Sequence, residues 1–391
     1  MDKIYFDNCA TTPLCSEAKE AMCSAMSFYG NPSSLHTMGV EAEKLVSDSR
    51  RAILTSLGVR NVTKLTEKQL IFTASGTEAD NLALLGTMSA KGYNKKKIII
   101  SDSEHPAIME PAAFLERNEF NVVRIPTVGG EPDYDMIARE VDESTVLVSF
   151  MLVNNETGAV YDIKRISDIV KRVNPDVLVH TDCVQGYMNI PFTERSLGAD
   201  MISLSAHKIG GPKGVGALYV TADMLKKRRI VPIIYGGGQE SGMRSGTENL
   251  LGIVGFGAAV KSVSLMREVY AKNKASLREY IIERLCDETR FAGVKLNLPK
   301  NSAPHVLSVT LPNIKSETML HRLSLDGIFV SSGSACSSNT GHKSHVLRAF
   351  GLSDREADCT VRISLGSQNT LDEVEKFLTS FEAALKTLVR I

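Results

Sequence analysis

LIFT (70–73), TEADNLALLGTMSA (77–90), KIIIS (97–101), PAIMEPAAFLERN (106–118) and NVVRI (121–125) decide the fold. The first, third and fifth are short runs rich in β-branched residues. The second and fourth carry apolar residues at helical spacing. TVLVSFMLV (145–153), DIKRISDIVKRV (162–173), VLVH (177–180) and MISLS (201–205) continue the alternation. Such strand–helix alternation predicts an α/β fold with a mostly parallel sheet covered by helices on both faces.

After Asn249 the texture changes. A long helical region runs towards Thr289, broken by glycines near its start. HVLSVTL (305–311), GIFVS (327–331) and CTVRISL (359–365) read as strands, and a last helix begins at Leu371. These predict a smaller α+β domain. With 391 residues and 42.6 kDa, the chain is too long for one small core. The expected division is 16–255 for the large domain, and 1–15 with 256–391 for the small one.

Hydrophobic residues make up 43% and charged residues 23%, a globular balance that excludes a disordered chain. Lys+Arg and Asp+Glu both number 45, so no basic excess supports direct nucleic-acid binding. No apolar run reads as long enough to span a bilayer, and MDKIYFDN lacks a signal-peptide core, so a cytoplasmic protein is expected. The seven cysteines, at 9, 15, 23, 183, 286, 336 and 359, are odd in number and irregularly spaced. Neither a disulfide framework nor a metal site is indicated.

Three local patterns carry chemistry. In SAHKIGGPKGVG (205–216) a strand ends in His207-Lys208 before a glycine-rich turn. Lysine amines form Schiff bases with carbonyl cofactors such as pyridoxal phosphate (PLP), although an isolated turn lysine is more often merely exposed. In VLVHTDCVQG (177–186) Asp182 follows another strand. It reads either as a helix N-cap or as the carboxylate a pyridinium nitrogen needs. FTASGTEADN (72–81) runs from strand through Ser75-Gly76-Thr77 into a helix, either an ordinary capped start or an anion site.

Taken together, TDCVQ (181–185), SAHKIGGPKGVGALYV (205–220), GGGQESGMRSGTEN (236–249), VNNETG (153–158) and VSSGSACSS (330–338) resemble the fold-type-I, class-V aminotransferase-like PLP enzymes. More narrowly they are similar to NifS/IscS-type cysteine desulfurases, from FDNCATTP (6–13) to VRISLG (361–366). The resemblance implies that Lys208 carries PLP, Asp182 faces the ring nitrogen, Gln185 bonds the ring oxygen and His105 stacks on the ring and moves protons. It assigns the phosphate to Gly76, Thr77, Ser205 and His207. Thr247 would reach the phosphate of a neighbouring subunit, which implies a homodimer. Asn155 and Arg362 would hold the carboxylate of L-cysteine, Arg362 through a bidentate pair.

Cys336 lies in SSGSACSSNTGHKS (331–344), where little apolar content argues against an inert core thiol. By resemblance it takes the substrate sulfur as a persulfide, releases L-alanine, and passes the sulfur to an iron–sulfur scaffold or a tRNA-thiolation protein. A selenocysteine lyase or another class-V enzyme is the alternative. Cys183, directly after Asp182, reads as a small buried residue.

Overall fold

The computed structural model of the chain describes residues 3–90, 96–332 and 344–390. Seven strands form the main sheet in the spatial order Leu70–Thr73, Gly216–Val220, Met201–Ser205, Leu178–Asp182, Thr145–Met151, Lys97–Ser101, Asn121–Ile125. Only Gly216–Val220 runs antiparallel to its neighbours; the other pairs are parallel. The mostly parallel sheet expected from the sequence is therefore present. Strands such as Lys97–Ser101 and Thr145–Met151 are buried at every position, which explains why they read as continuous apolar runs.

The covering helices show why each forms. Helix Ile163–Val173 is capped by Asp162, whose side chain accepts from the Arg165 N–H, and it buries Ile163, Ile166, Ser167 and Val170 along one stripe. Helix Gly76–Met88 is buried on almost every side, including Asp80 and Thr87.

A second, four-stranded antiparallel sheet is ordered Ser331–Ser332, Thr360–Ser364, Val306–Thr310, Lys295–Asn297. Its core joins Val309, Val361 and Ile363 to Phe377 and Phe381 of helix Leu371–Thr387. The N-terminus belongs to this side of the molecule. Ile4–Tyr5 pairs in parallel with Ile328–Phe329, and Phe6 meets Phe377 edge to face.

Helix Leu250–Leu285 links the two cores. Ile253, Phe256, Ala259 and Val260 pack with the main sheet, whereas Leu277, Ile281 and Leu285 pack with the small one. The sequence predicted a break at its glycines, and there is none: the helix runs uninterrupted for 36 residues. Glycine costs roughly 1 kcal/mol in a helix, but here close packing takes the place of side chains. A Cβ at Gly255 would stand 2.8 Å from Met22, and one at Gly257 would stand 2.7 Å from Ser49. The reading of apolar runs also needs correcting. This helix is long and apolar enough to cross a bilayer by length and composition; Ile253, Phe256, Leu277 and Ile281 are buried in the two cores, while Leu265, Met266 and Val269 between them are exposed.

Candidate active site

The parallel strands of the main sheet end on one edge, the place where α/β sheets bind ligands. Ser75-Gly76 follows the strand ending at Thr73, Glu104-His105 follows Ser101, and Asn155 follows Met151. Asp182 and Ser205 are the last residues of their strands, and Lys208 closes a short 3-10 turn after Ser205. Five separate segments of the sequence thus meet at one edge.

Ser75 caps helix Gly76–Met88, its Oγ accepting from the Glu78 N–H at 3.1 Å. The first amides of a helix have no internal partner, so the start of this helix offers donors to an anion. Gly76 leaves room there: a Cβ would come within 2.7 Å of Val184 Cγ2 and 3.3 Å of Ser205 Cβ. Gly216 is required for the same reason, since its Cβ would lie 2.5 Å from the Ser75 carbonyl carbon. His207 lies beside this cradle, its Nδ1 3.2 Å from Thr11 Oγ1.

Lys208 reaches back to the N-terminal segment, where Nζ donates to the carbonyl oxygens of Cys9 and Ala10. Gln185 Nε2 donates to the same Cys9 oxygen at 2.8 Å. Asp182 is buried and accepts from the Val184 N–H at 2.8 Å. Burial raises its carboxyl to about 6, opposed by that N–H and by Lys208. His105 caps helix Pro106–Arg117 with Nδ1 accepting from the Ala107 N–H at 3.1 Å. Burial, then the charge of Lys208, lowers it to about 4. Its imidazole is neutral at pH 7, so any proton it donates sits on Nε2.

A family profile described as Aminotransferase class-V matches residues 4–377. The chain belongs to the class-V aminotransferase family. It is 37% identical over 389 residues to the cysteine desulfurase IscS of Dictyoglomus turgidum, covering 99% of this chain and 95% of that protein. The IscS of Methanosarcina thermophila is 36% identical over 378 residues, covering 96% and 90%. Among solved structures, a NifS-like protein superposes with a TM-score of 0.90 at 36% identity, covering 99% and 100%. SspA in complex with cysteine gives 0.80 at 30% identity, covering 94% and 100%.

The cofactor of this class-V protein is PLP, and the residues at the strand ends fit it. The helix start at Gly76 could take a phosphate, buried Asp182 could face a ring nitrogen, Lys208 could supply the amine and His105 a neutral flat ring. When bound, PLP serves as an electron sink for charge developing at the substrate Cα.

Arg362 and Asn155, the residues expected to hold the substrate carboxylate, lie at the contact between the two sheets. Arg362 is buried on strand Thr360–Ser364. Its Nη1 donates to the Asn155 carbonyl oxygen at 2.9 Å and its Nη2 to Asp7 Oδ1 at 2.8 Å. Arg362 Nε and Asn155 Oδ1 are both buried without a hydrogen-bond partner among the described residues. A bidentate grip on a carboxylate therefore has to use the remaining N–H groups of the fork, with Asp7 sharing the guanidinium.

Cys336 lies outside the described residues. The segments that bracket 333–343 are tied to this site: Ser331 is in register with Arg362, Ser344 Oγ donates to Glu156 Oε2 at 2.6 Å, and His345 Nε2 lies 2.9 Å from the Glu104 carbonyl oxygen. Cys183 is fully buried and burial raises its thiol well above the ordinary range, so it stays protonated. Thr247 is exposed and makes no hydrogen bond among the described residues. The structure does not bring it against the other site residues, although nearby Arg244 pairs with Glu78 of the cradle helix at 2.8 Å.

Sequence reasoning overlooked a layer of buried acids behind the site. Asp80, Glu104 and Glu156 are all buried, and burial is the main cause raising Glu104 to about 8 and Glu156 to about 7. Asp80 is raised well above the carboxylate range by burial and by Asp182. Glu156 had a signal, since it follows Asn155 in VNNETG. Nothing in the sequence singles out Asp80 or Glu104.

Proposed function

We propose that the protein is a cysteine desulfurase, converting L-cysteine to L-alanine and leaving the sulfur on Cys336 as a persulfide. The observation that carries this reading is the near full-length likeness to IscS relatives, joined to a site holding lysine, aspartate, imidazole and a buried arginine. Arg362 and Asn155 bind the substrate carboxylate and so aim Cα at Lys208. Lys208 Nζ then removes and returns the Cα proton. Asp182 would hold the ring nitrogen protonated, and neutral His105 would supply an Nε2 proton to the substrate Cβ. The Cys336 thiolate attacks the substrate sulfur: an S–S bond forms, the C–S bond breaks with its electron pair passing to Cβ, Cβ takes the proton from His105, and the carbon skeleton leaves as alanine. Gly76, Thr77, Ser205 and His207 hold the phosphate.

The test is mass spectrometry after one turnover with labelled cysteine, with and without reductant. Cys336→Ala should still bind cysteine but carry no extra sulfur and make little alanine. Label on Cys183 or Cys9, with Cys336 unmodified, would overturn the assignment.

On this reading the enzyme works in the cytoplasm as two domains, 16–255 and 1–15 with 256–391. It hands sulfur to an iron–sulfur scaffold or tRNA-thiolation protein. It is a homodimer in which Thr247 completes the partner's phosphate site, since symmetric interfaces commonly complete shared sites. Sedimentation at assay concentration should show the dimer, and Thr247→Ala should weaken PLP binding. A fully active monomer would count against the shared site.

A further inference from the structure

The turn at 7–10 has no role in the reaction described above, yet it touches both groups that must face one substrate carbon. The Ala10 N–H donates to the Asp7 carbonyl oxygen at 3.0 Å, which closes the turn. It packs on the side of strand Thr360–Ser364 that carries Arg362. Arg362 and Ser364 are alternate residues of that strand, so their side chains share a face. Ser364 Oγ accepts from the Cys9 N–H at 2.9 Å, and the Ser364 carbonyl oxygen accepts from Asn8 Nδ2 at 2.9 Å. Just beyond the turn, the Thr12 N–H donates to the His207 carbonyl oxygen at 2.9 Å, and Thr12 Oγ1 accepts from the Gly210 N–H at 2.7 Å. One short stretch is thus bolted to the arginine strand at one end and to the lysine turn at the other.

The same stretch holds a side chain at each end. Asp7 Oδ1 accepts from Arg362 Nη2 at 2.8 Å, and the Cys9 and Ala10 carbonyl oxygens accept from Lys208 Nζ. Arg362 is 4% exposed, and its Nη1 is already fixed by the Asn155 carbonyl oxygen. A guanidinium is planar, so partners at Nη1 and Nη2 together fix the direction of its remaining N–H groups.

We propose that Asp7 is a positioning residue for the substrate: it sets the plane of the Arg362 fork and, through the turn it begins, the spacing between that fork and the amine of Lys208. The inference rests on the reading of Arg362 as the carboxylate anchor and of Lys208 as the group that moves the Cα proton. In an α-amino acid the carboxylate is bonded directly to Cα. The spacing therefore decides whether the Cα proton faces the amine, and a misplacement of about 1 Å can cost about 10²-fold.

Two substitutions separate position from charge. Asp7→Asn keeps an oxygen acceptor at the same reach and removes the charge. Asp7→Glu keeps the charge and carries it outward by a methylene. In the holoenzyme, kcat/KM for cysteine and deuterium exchange at Cα should both fall about tenfold or more in Asp7→Glu. In Asp7→Asn both should stay within about threefold of wild type, since the fork keeps its direction and loses only a competing anion. The reverse order would show a counterion alone and overturn the proposal, as would equal losses or wild-type values in both variants. If Asp7→Glu does not fold by circular dichroism, Asp7→Ala, which removes the acceptor without added bulk, takes its place with the same expectation. A double-mutant cycle tests for a merely structural role. Asp7 acts through Arg362, so Asp7→Glu should cost nothing further in an Arg362→Gln background. Additive losses would overturn the proposal. Wild-type kcat/KM in Arg362→Gln alone would overturn the anchor reading and this inference with it, whereas a loss there without one in the Asp7 variants would overturn only the role of Asp7.

Discussion

Lys208→Ala is expected to abolish the visible absorption of the lysine-bound cofactor and to lower cysteine turnover by at least the roughly 10²- to 10⁴-fold that a positioned proton-transfer group contributes. The fold should survive. Lys208 Nζ is held by two backbone oxygens, those of Cys9 and Ala10, and its contact with Ala10 is exposed, so water can replace the amine there when the side chain is removed. Gln185 still holds the Cys9 oxygen. Absorption spectroscopy and circular dichroism of the purified variant separate the two outcomes. Borohydride reduction of the wild type followed by peptide mapping checks the premise directly. A pyridoxyl group found on any lysine other than Lys208 would show that the site is misassigned.

Asp182→Asn should retain PLP yet lose most Cα proton removal. Taking one partner from a buried ion pair costs about 3–5 kcal/mol, which corresponds to roughly 10²- to 10⁴-fold in rate. Deuterium exchange at the substrate Cα measures this step alone, and wild-type exchange in the variant would refute the role. The same substitution should act oppositely on the apoprotein. Burial raises the Asp182 carboxyl from 3.8 to about 6, so the folded chain holds a proton that the unfolded chain releases in that window. Stability contributed by this group is therefore present below about 4 and lost as pH rises through about 6. Apo Asp182→Asn should melt above the wild-type apoprotein at pH 8, with the gap closing below pH 4. Asp80 and Glu104, which Asp182 destabilises further when ionised, reinforce the direction. A lower melting temperature at pH 8 would mean that Asp182 is ionised by a partner within the apoprotein.

How far the site can be read from the sequence depends on how local each feature is. Gly76, Asp182, Ser205 and Lys208 each sit within a residue or so of a strand end or in the turn that follows, so a strand run followed by a turn signal locates them. One feature was misread. The glycines of helix Leu250–Leu285 predict a break when each is weighed by propensity alone, because the surfaces that exclude a Cβ come from Met22 and Ser49, over 200 residues earlier.

By itself the sequence determined the order of strands and helices and the mostly parallel sheet, because periodicity and turn chemistry act over a few neighbouring residues; most of the expected site residues came from the resemblance of whole motifs. Tertiary structure alone decided which distant groups meet: Cys9 and Ala10 with Lys208, Asp7 with Arg362, Ser344 with Glu156. It also decided their protonation. The neutral His105, the raised Asp182 and the buried acids behind them follow from desolvation, which depends on what the fold places around a group and leaves no mark on the residues next to it in the chain.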